Sequence, residues 1–312
     1  MTPTTTADAE RFVHPALFYR GEDQYLAGTV PFVLEGLASG EPVAVAAPPD
    51  RLQVIKDGLG ERAGQVHFVD MTQAGRNPGR IIPGVLRRFA DAHTTGRVRI
   101  IGEPIWPGRT STEYPACVQH EALINAAFAG RAVTILCPYD ADGLDEQVLQ
   151  DAWATHPVVI DEHGDRTSDA YEWQAVADRY NQALPVPSRA ETSSFRGSSE
   201  LPEVRRFAVL RGKRLGLDGQ RLQDLELAVA ELTTNSVIHG AGGGTLRIWG
   251  EGEQVVCEVH DGGRLTDPLA GRRPQAPDRP GGRGLLLVNH VSDLVRIHTG
   301  QAGTTIRFYL GR

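Results

Sequence analysis

The sequence predicts an α/β unit on a mostly parallel sheet over residues 1–184, a linker over 185–199, and an α+β unit with antiparallel strands over 200–312. Three observations predict this. Short apolar runs alternate with helix-length periodic segments in the first half. The stretch from Pro185 to Glu200 is rich in Pro, Ser and Gly with almost no apolar content. Beyond it, two helical patterns precede two hairpin-like strand pairs. No repeat period relates the halves.

In the first half the strand-sized runs are Val43 to Ala46, Val66 to Val69, Val98 to Ile101 and Val133 to Leu136. Helical stretches separate or follow them: Tyr25 to Leu37, Ile81 to His93, Val118 to Phe128 and Glu146 to Ala154, with one more around Ala170 to Asn181. Such alternation predicts parallel strands with helices on both faces and leaves the strand order open. In the second half, helices are expected at Glu203 to Leu215 and Gly219 to His239. The strand pairs are Thr245 to Gly250 with Val255 to His260, and Leu294 to His298 with Thr304 to Leu310.

The 312 residues, 40% hydrophobic and 23% charged, are enough for two cores. With 32 basic against 39 acidic residues the net charge is -7, so no overall positive field exists to hold a phosphate backbone, and direct nucleic-acid binding is not expected. No apolar run approaches the roughly 18 residues of a membrane span. The opening MTPTTTADAERF lacks the basic and apolar regions of a signal peptide. A cytoplasmic location without membrane contact is expected. Cys117, Cys137 and Cys257 are odd in number and widely spaced, with no CxxC pair, which predicts reduced thiols.

Chemistry concentrates in the second half. Leu222, Leu225, Val229 and Leu232 recur at helical steps and predict an amphipathic helix with one face on a core. Glu231, Asn235 and His239 recur every four residues on an adjoining stripe, which alone reads as a solvated polar face. Strand Val255 to His260 runs into Asp261-Gly262-Gly263, a carboxylate followed by glycines that permit a tight turn. PGGRGLLLV, Pro280 to Val288, sets glycines ahead of an apolar helical run, where free backbone N–H groups suit an anion. GTTI, Gly303 to Ile306, opens the last strand.

In this order, EL-x-x-N, D-x-G, G-x-G-L and GTT resemble the nucleotide-binding domain of the GHKL ATPase superfamily, within it most of all the anti-sigma-factor serine kinases of the RsbW type. The resemblance covers about residues 200–312 and implies a Bergerat two-layer sandwich, ATP and Mg²⁺. It implies that Asn235 binds the Mg²⁺ bridging the phosphates and that Glu231 is the catalytic base on the attacking hydroxyl. Asp261 would accept the adenine amino hydrogen, Gly263 allow close approach, Thr304 support that end, and Gly282 and Gly284 meet the phosphates. The residue types suit those roles: a carboxamide oxygen is a hard, neutral Mg²⁺ ligand, and a carboxylate one turn away can take a proton from serine. Arg264 to Pro280, with Arg264, Arg272, Arg273 and Arg279, reads as a mobile lid. Leu265 stands where many relatives have a second glycine, and Arg283 occupies the G-x-G turn. No Walker A pattern occurs, and no hairpin with a phosphoacceptor histidine precedes the domain.

Strings of the first half resemble the MEDS domain, the sensory domain of methanogen and methylotroph regulators. They are HPALFY (His14 to Tyr19), PFVLEGLASGEPV, VDM, GRNPGRII, GEPIWPGR (Gly102 to Arg109), HEALIN (His120 to Asn125), CPYD (Cys137 to Asp140) and THP (Thr155 to Pro157). The match spans about residues 14–160 and implies a RecA-like sheet that senses a signal. Open α/β sheets bind ligands at their carboxyl edge, so Glu103, Trp106, Arg109 and Tyr139 are the sensory-ligand candidates. Cys117 and His120, one turn apart, with Cys137 and His156, form a conceivable metal set, with structural thiols and a core histidine as the preferred reading.

The combined expectation is a cytoplasmic transcription regulator whose sensor controls an ATP-dependent protein serine kinase and anti-sigma factor. Its expected partners are a sigma factor and a small antagonist protein phosphorylated on serine, and a homodimer stays open. Two alternatives stand beside it: an ATP-shaped module that sequesters a partner without phosphate transfer, and an unorthodox histidine kinase.

Overall fold

The apolar runs of the first half are continuous rather than alternating because their strands are covered on both faces. The computed structural model describes residues 12–274 and 282–312 and divides into a unit ending at Tyr180 and a unit from Asn181 to Arg312. The first holds β1 (Pro15–Tyr19), α1 (Gly21–Ala38), β2 (Val43–Ala47), α2 (Pro49–Leu59), β3 (His67–Asp70), α3 (Met71–Ala74), α4 (Arg87–Ala92), β4 (Val98–Gly102), α5 (Tyr114–Ala127), β5 (Val133–Asp140), α6 (Glu146–Thr155), β6 (Val158–Asp161), β7 (Gly164–Thr167) and α7 (Trp173–Arg179). A π-helical turn, Ile82–Leu86, leads into α4.

The strand order is β3-β2-β4-β5-β1-β6-β7, parallel except for the β6–β7 hairpin. Three of these strands lie outside the predicted set. β1 is a buried five-residue apolar strand opened by a proline, which gives no donor to a ladder, whereas β7 is exposed at every position and carries no apolar run. β1 lies between β5 and β6, with Ala16 opposite both Cys137 and Val159. Side chains alternate across the sheet. Leu17, Tyr19, Val45, Ile101 and Leu136 join Tyr25 and Val33 of α1 and Leu52 and Ile55 of α2 in one core. Helix α5 is buried on nearly every side, from Pro115 to Ala127, so no polar stripe marks it in sequence.

The second unit holds β8 (Glu191–Arg196), α8 (Leu201–Arg214), α9 (Gly219–His239), β9 (Gly243–Glu251), β10 (Gln254–Asp261), α10 (Gly284–Val291), β11 (Leu294–Gly300) and β12 (Gly303–Gly311). Its antiparallel sheet has the order β11-β12-β10-β9-β8. Val255, Cys257 and Val259 of β10 pack with Leu246, Ile248 and Phe308 against Leu225, Val229 and Leu232 of α9 and Val288 of α10. This is the two-layer arrangement of the GHKL sandwich. On the other sheet face Glu258 is fully buried, held by Arg307 at 2.6 and 2.9 Å and by Arg247 at 2.8 Å. No helix among the described residues is long and apolar enough to cross a membrane.

The 185–199 segment is not a free linker. Asn181 pairs its amide with the Thr299 backbone at 2.8 and 2.9 Å, and Arg307 donates to the Leu184 and Pro185 carbonyls at 3.1 and 3.0 Å. Glu191–Arg196 is then the edge strand on β9, with Phe195 buried in the core. The sequence hides this because the stabilisation comes from one aromatic and from main-chain pairing, and main-chain pairing is independent of composition. A chain starting at Glu200 should therefore unfold in urea with a stability lower by on the order of 3 kcal/mol than one starting at Asn181, the cost of losing one buried aromatic. Equal stabilities would return 185–199 to the status of linker.

Candidate functional site

In the second unit the end of β10 carries Asp261, and each oxygen of its carboxylate has a fixed donor. The Gly263 N–H donates to Oδ1 at 2.8 Å, and the Ser236 hydroxyl on α9 donates to Oδ2 at 2.6 Å. Carboxylate oxygens carry further lone pairs, so Asp261 stays an oriented acceptor. The backbone closes tightly around it. A Cβ at Gly263 would lie 2.5 Å from the His239 carbonyl, and one at Gly303, where φ is +116°, would lie 1.9 Å from the Asp261 carbonyl. Only glycine fits at these two positions. Thr304 braces the turn by donating to the Gly263 carbonyl at 2.9 Å, while its own oxygen takes the Leu265 N–H at 3.2 Å. Thr299 joins the same group, 2.9 Å from Thr304 Oγ1.

A cavity of about 290 Å³ opens beside this carboxylate, lined by Asn235, His239, Asp261, Gly263, Gly282, Gly284 and Thr304, with Leu265, Leu285 and Ile306 as its apolar part. Gly284 begins α10 there. A Cβ on it would sit 2.5 Å from Glu231 Oε2 and 3.2 Å from Asn235 Nδ2, so both α9 side chains reach the start of α10. Six of the seven expected residues, Asn235, Asp261, Gly263, Gly282, Gly284 and Thr304, line this one cavity, and the seventh, Glu231, reaches its edge at Gly284. Sequence reading missed Ser236, one residue past Asn235, which positions Asp261.

The donor set suits an adenine nucleotide with Mg²⁺. A fixed carboxylate meets an amino hydrogen, a neutral carboxamide offers a hard oxygen, and a glycine-lined helix start presents N–H groups to phosphate. The arginines divide. Arg264 is exposed at the cavity, Arg273 lies 3.6 Å from Asp267, and Arg272 is buried and so does not face solvent. Leu269 is buried and Asn289 holds the Gly271 carbonyl at 3.0 Å, so 269–272 is packed rather than loose. Arg279 and the stretch to Pro280 lie outside the described residues.

In the first unit the four sensory candidates do not converge. Glu103 lies buried past β4, receiving the Tyr25 hydroxyl at 3.1 Å. Beside it Arg51 stacks over the Tyr19 and Tyr25 rings, at 5.2 and 5.0 Å, and reaches Asp140 at 3.3 Å. Sequence reading missed Tyr19, Tyr25 and Arg51, which belong to β1, α1 and α2. Arg109 stacks on Trp106 at 3.9 Å and donates to the carbonyls of Gly75, Arg76 and Pro104, so it pins a loop. Tyr139 lies on the opposite sheet face, edge-on to Phe18 and His156, because alternation along β5 sends it away from Asp140.

Burial pushes the Glu103 carboxyl up to about 8 against the partial relief of Arg51. Its unfolded value is near 4.5. Between these values the folded state holds a proton that the unfolded state has lost. Stability therefore falls as pH rises through this window, by on the order of 1.4 kcal/mol per unit. Glu103→Gln should flatten that slope between pH 5 and 8 in urea unfolding. A variant with the wild-type slope would place the titration elsewhere.

Residues 13–157 match the model of MEDS, the MEthanogen/methylotroph, DcmR Sensory domain, and residues 198–310 match that of the histidine kinase-like ATPase domain. No curated protein matches the chain. Among solved structures it is similar to the RsbU and RsbW domains of Rv1364c from Mycobacterium tuberculosis, with 20% identity and a TM-score of 0.30. That match covers 40% of this chain and 32% of the other, so this chain spans about a third of that one's length. The chain joins a MEDS sensory domain to a histidine kinase-like ATPase domain of the GHKL type.

Proposed function

We propose that the second unit is an ATP-dependent protein serine kinase and partner-holding module, an anti-sigma factor, whose activity the first unit sets in response to a signal in the cytoplasm. The observation that carries this reading is the cavity that Asp261, fixed by Ser236 and Gly263, shares with Asn235 and Gly284, with Glu231 reaching Gly284 at its edge. Bound there, Mg-ATP would supply the transferable phosphoryl group and neutralise its developing charge.

The chain's residues take the remaining roles. Asp261 accepts a base amino hydrogen and sets the nucleotide's register, and Thr304 keeps the turn beneath it from opening. Asn235 offers its Oδ1 to the metal, a role its Nδ2 beside Gly284 leaves open. Glu231, half-buried at the same helix start, takes the proton of an incoming serine hydroxyl. The partners that fit this chemistry are a sigma factor held away from RNA polymerase and a small antagonist protein that is phosphorylated. Leu265 lines the cavity where many relatives have glycine, which favours a second reading: nucleotide binding that sets shape without transfer.

Radiolabelled ATP incubated with the chain and candidate antagonists separates the two. The kinase reading expects acid-stable label on serine, reduced on the order of 10²- to 10⁴-fold in Glu231→Gln while nucleotide binding persists. Asn235→Ala should abolish Mg-dependent ATP binding with the fold intact. Binding without label supports the second reading, and native-rate transfer by Glu231→Gln overturns the base assignment.

A further inference from the structure

Four of the quoted first-half strings come together at one buried place. HPALFY brings His14 to the start of β1, HEALIN brings Glu121 and Asn125 on α5, CPYD brings Cys137 on β5, and THP brings His156 just before β6. The potential ligand atoms of His14, Glu121, Cys137 and His156 all lie within 4.8 Å of one another, and each of these four residues is at most 1% exposed. Cys117 and His120 are not members of this group; His14 and Glu121 take their place.

Hydrogen bonding settles which atoms face inward. Asn125 Nδ2 donates to the carbonyls of Thr155 at 2.9 Å, Ala122 at 3.2 Å and Glu121 at 3.4 Å, so Oδ1 is the atom turned to His14 Nδ1 at 3.2 Å. An amide oxygen only accepts, so His14 Nδ1 carries the hydrogen and Nε2 presents a lone pair. His156 Nδ1 likewise donates to the Ala152 carbonyl at 2.9 Å, leaving its Nε2 lone pair inward. Those two Nε2 atoms stand 3.4 and 3.2 Å from Glu121 Oε2, and His14 Nε2 stands 3.4 Å from Cys137 Sγ. Neither Glu121 oxygen nor His156 Nε2 has a hydrogen-bond partner among the described residues. The Cys137 S–H is the one hydrogen available to His14 Nε2, so the Glu121 carboxylate and His156 Nε2 remain as acceptors facing one another in a buried site, which is costly unless a positive charge lies between them.

We propose that His14, Glu121, Cys137 and His156 form a closed, four-coordinate site for a divalent cation of borderline softness, zinc. Two imidazoles, a thiolate and a carboxylate make up a zinc donor set. Tetrahedral bonds of about 2.0–2.3 Å imply ligand-to-ligand edges of about 3.3–3.8 Å. The three measured edges, 3.2 to 3.4 Å, fall close to that range. The charges also close: two neutral imidazoles, one carboxylate and one thiolate cancel a dication, with the Cys137 proton released to solvent as the sulfur–metal bond forms. Asn125 and the Ala152 carbonyl fix the ring tautomers from behind, and Phe12 stacked on His14 with Tyr139 edge-on to His156 supplies an apolar shell. Four protein ligands leave no open position, so the ion clamps the head of β1 to β5, α5 and the entry to β6.

The test uses the full chain, produced with zinc and, separately, with cobalt as the supplied metal. One equivalent of metal per folded chain is expected, and cobalt should show tetrahedral bands with a thiolate charge-transfer band. With three cysteines in the chain, the double variant Cys117→Ala/Cys257→Ala leaves Cys137 as the only thiol and should keep that band. Cys137→Ala should retain at least about tenfold less metal. Folded wild-type protein with below about 0.1 equivalent, a buried imidazolium–carboxylate cluster in place of a metal centre, overturns the proposal. So does cobalt bound without a thiolate band, and that outcome stands even where Cys137→Ala does not fold.

Discussion

The orientation of the Asp261 carboxylate is the constraint around which the second unit is arranged. Its two donors come from different layers, Ser236 from the helix layer and Gly263 from the turn at the sheet edge, so the carboxylate points correctly only when the layers are packed. The cost falls on neighbouring positions, where Gly263 and Gly303 admit no side chain without striking the Asp261 or His239 backbone. In the same core, packing of α10 on α9 brings Gly284 to Glu231 and Asn235. One hydrophobic core thus positions both ends of the cleft.

In the first unit the governing constraint is the alternation of side chains along parallel strands, which makes one short string serve two places. Cys137 and Tyr139 of CPYD face α5 and His156, whereas Asp140 faces Arg51, Tyr19 and the Glu103 environment. β1 lies between β5 and β6 and draws His14 and Tyr19 into these two opposite neighbourhoods. The sheet order therefore sets which polar residues can act together, and the four residues proposed from the carboxyl edge divide accordingly.

Legibility followed the range of the interactions. The second-half cleft was readable because its residues sit in short motifs whose spacing survives folding: one helix turn between Glu231 and Asn235, one residue between Asp261 and Gly263. The amphipathic period of α9 was readable for the same reason. Strand β8 was not, since its anchors are a single phenylalanine and main-chain pairing with β9. Glu103 was legible as a polar residue past a strand, but its partners Tyr25 and Arg51 lie 78 and 52 positions away, on helices whose placement depends on a strand order that no local pattern encodes. Ser236 lay in plain view beside Asn235, but it passes for an ordinary helix serine until β10 is placed.

The central claim is that Asp261 reads the amino edge of adenine, and a calorimetric titration of nucleotide into the full chain tests it most directly. Adenine offers a donor at its six position where guanine offers an acceptor. The account predicts one Mg-ATP site per chain, GTP bound on the order of 10- to 100-fold more weakly, and a similar loss of ATP affinity in Asp261→Asn, the range of a hydrogen bond to a charged group. Equal affinity for ATP and GTP, or an Asp261→Asn variant that binds ATP as the wild type does, would contradict it.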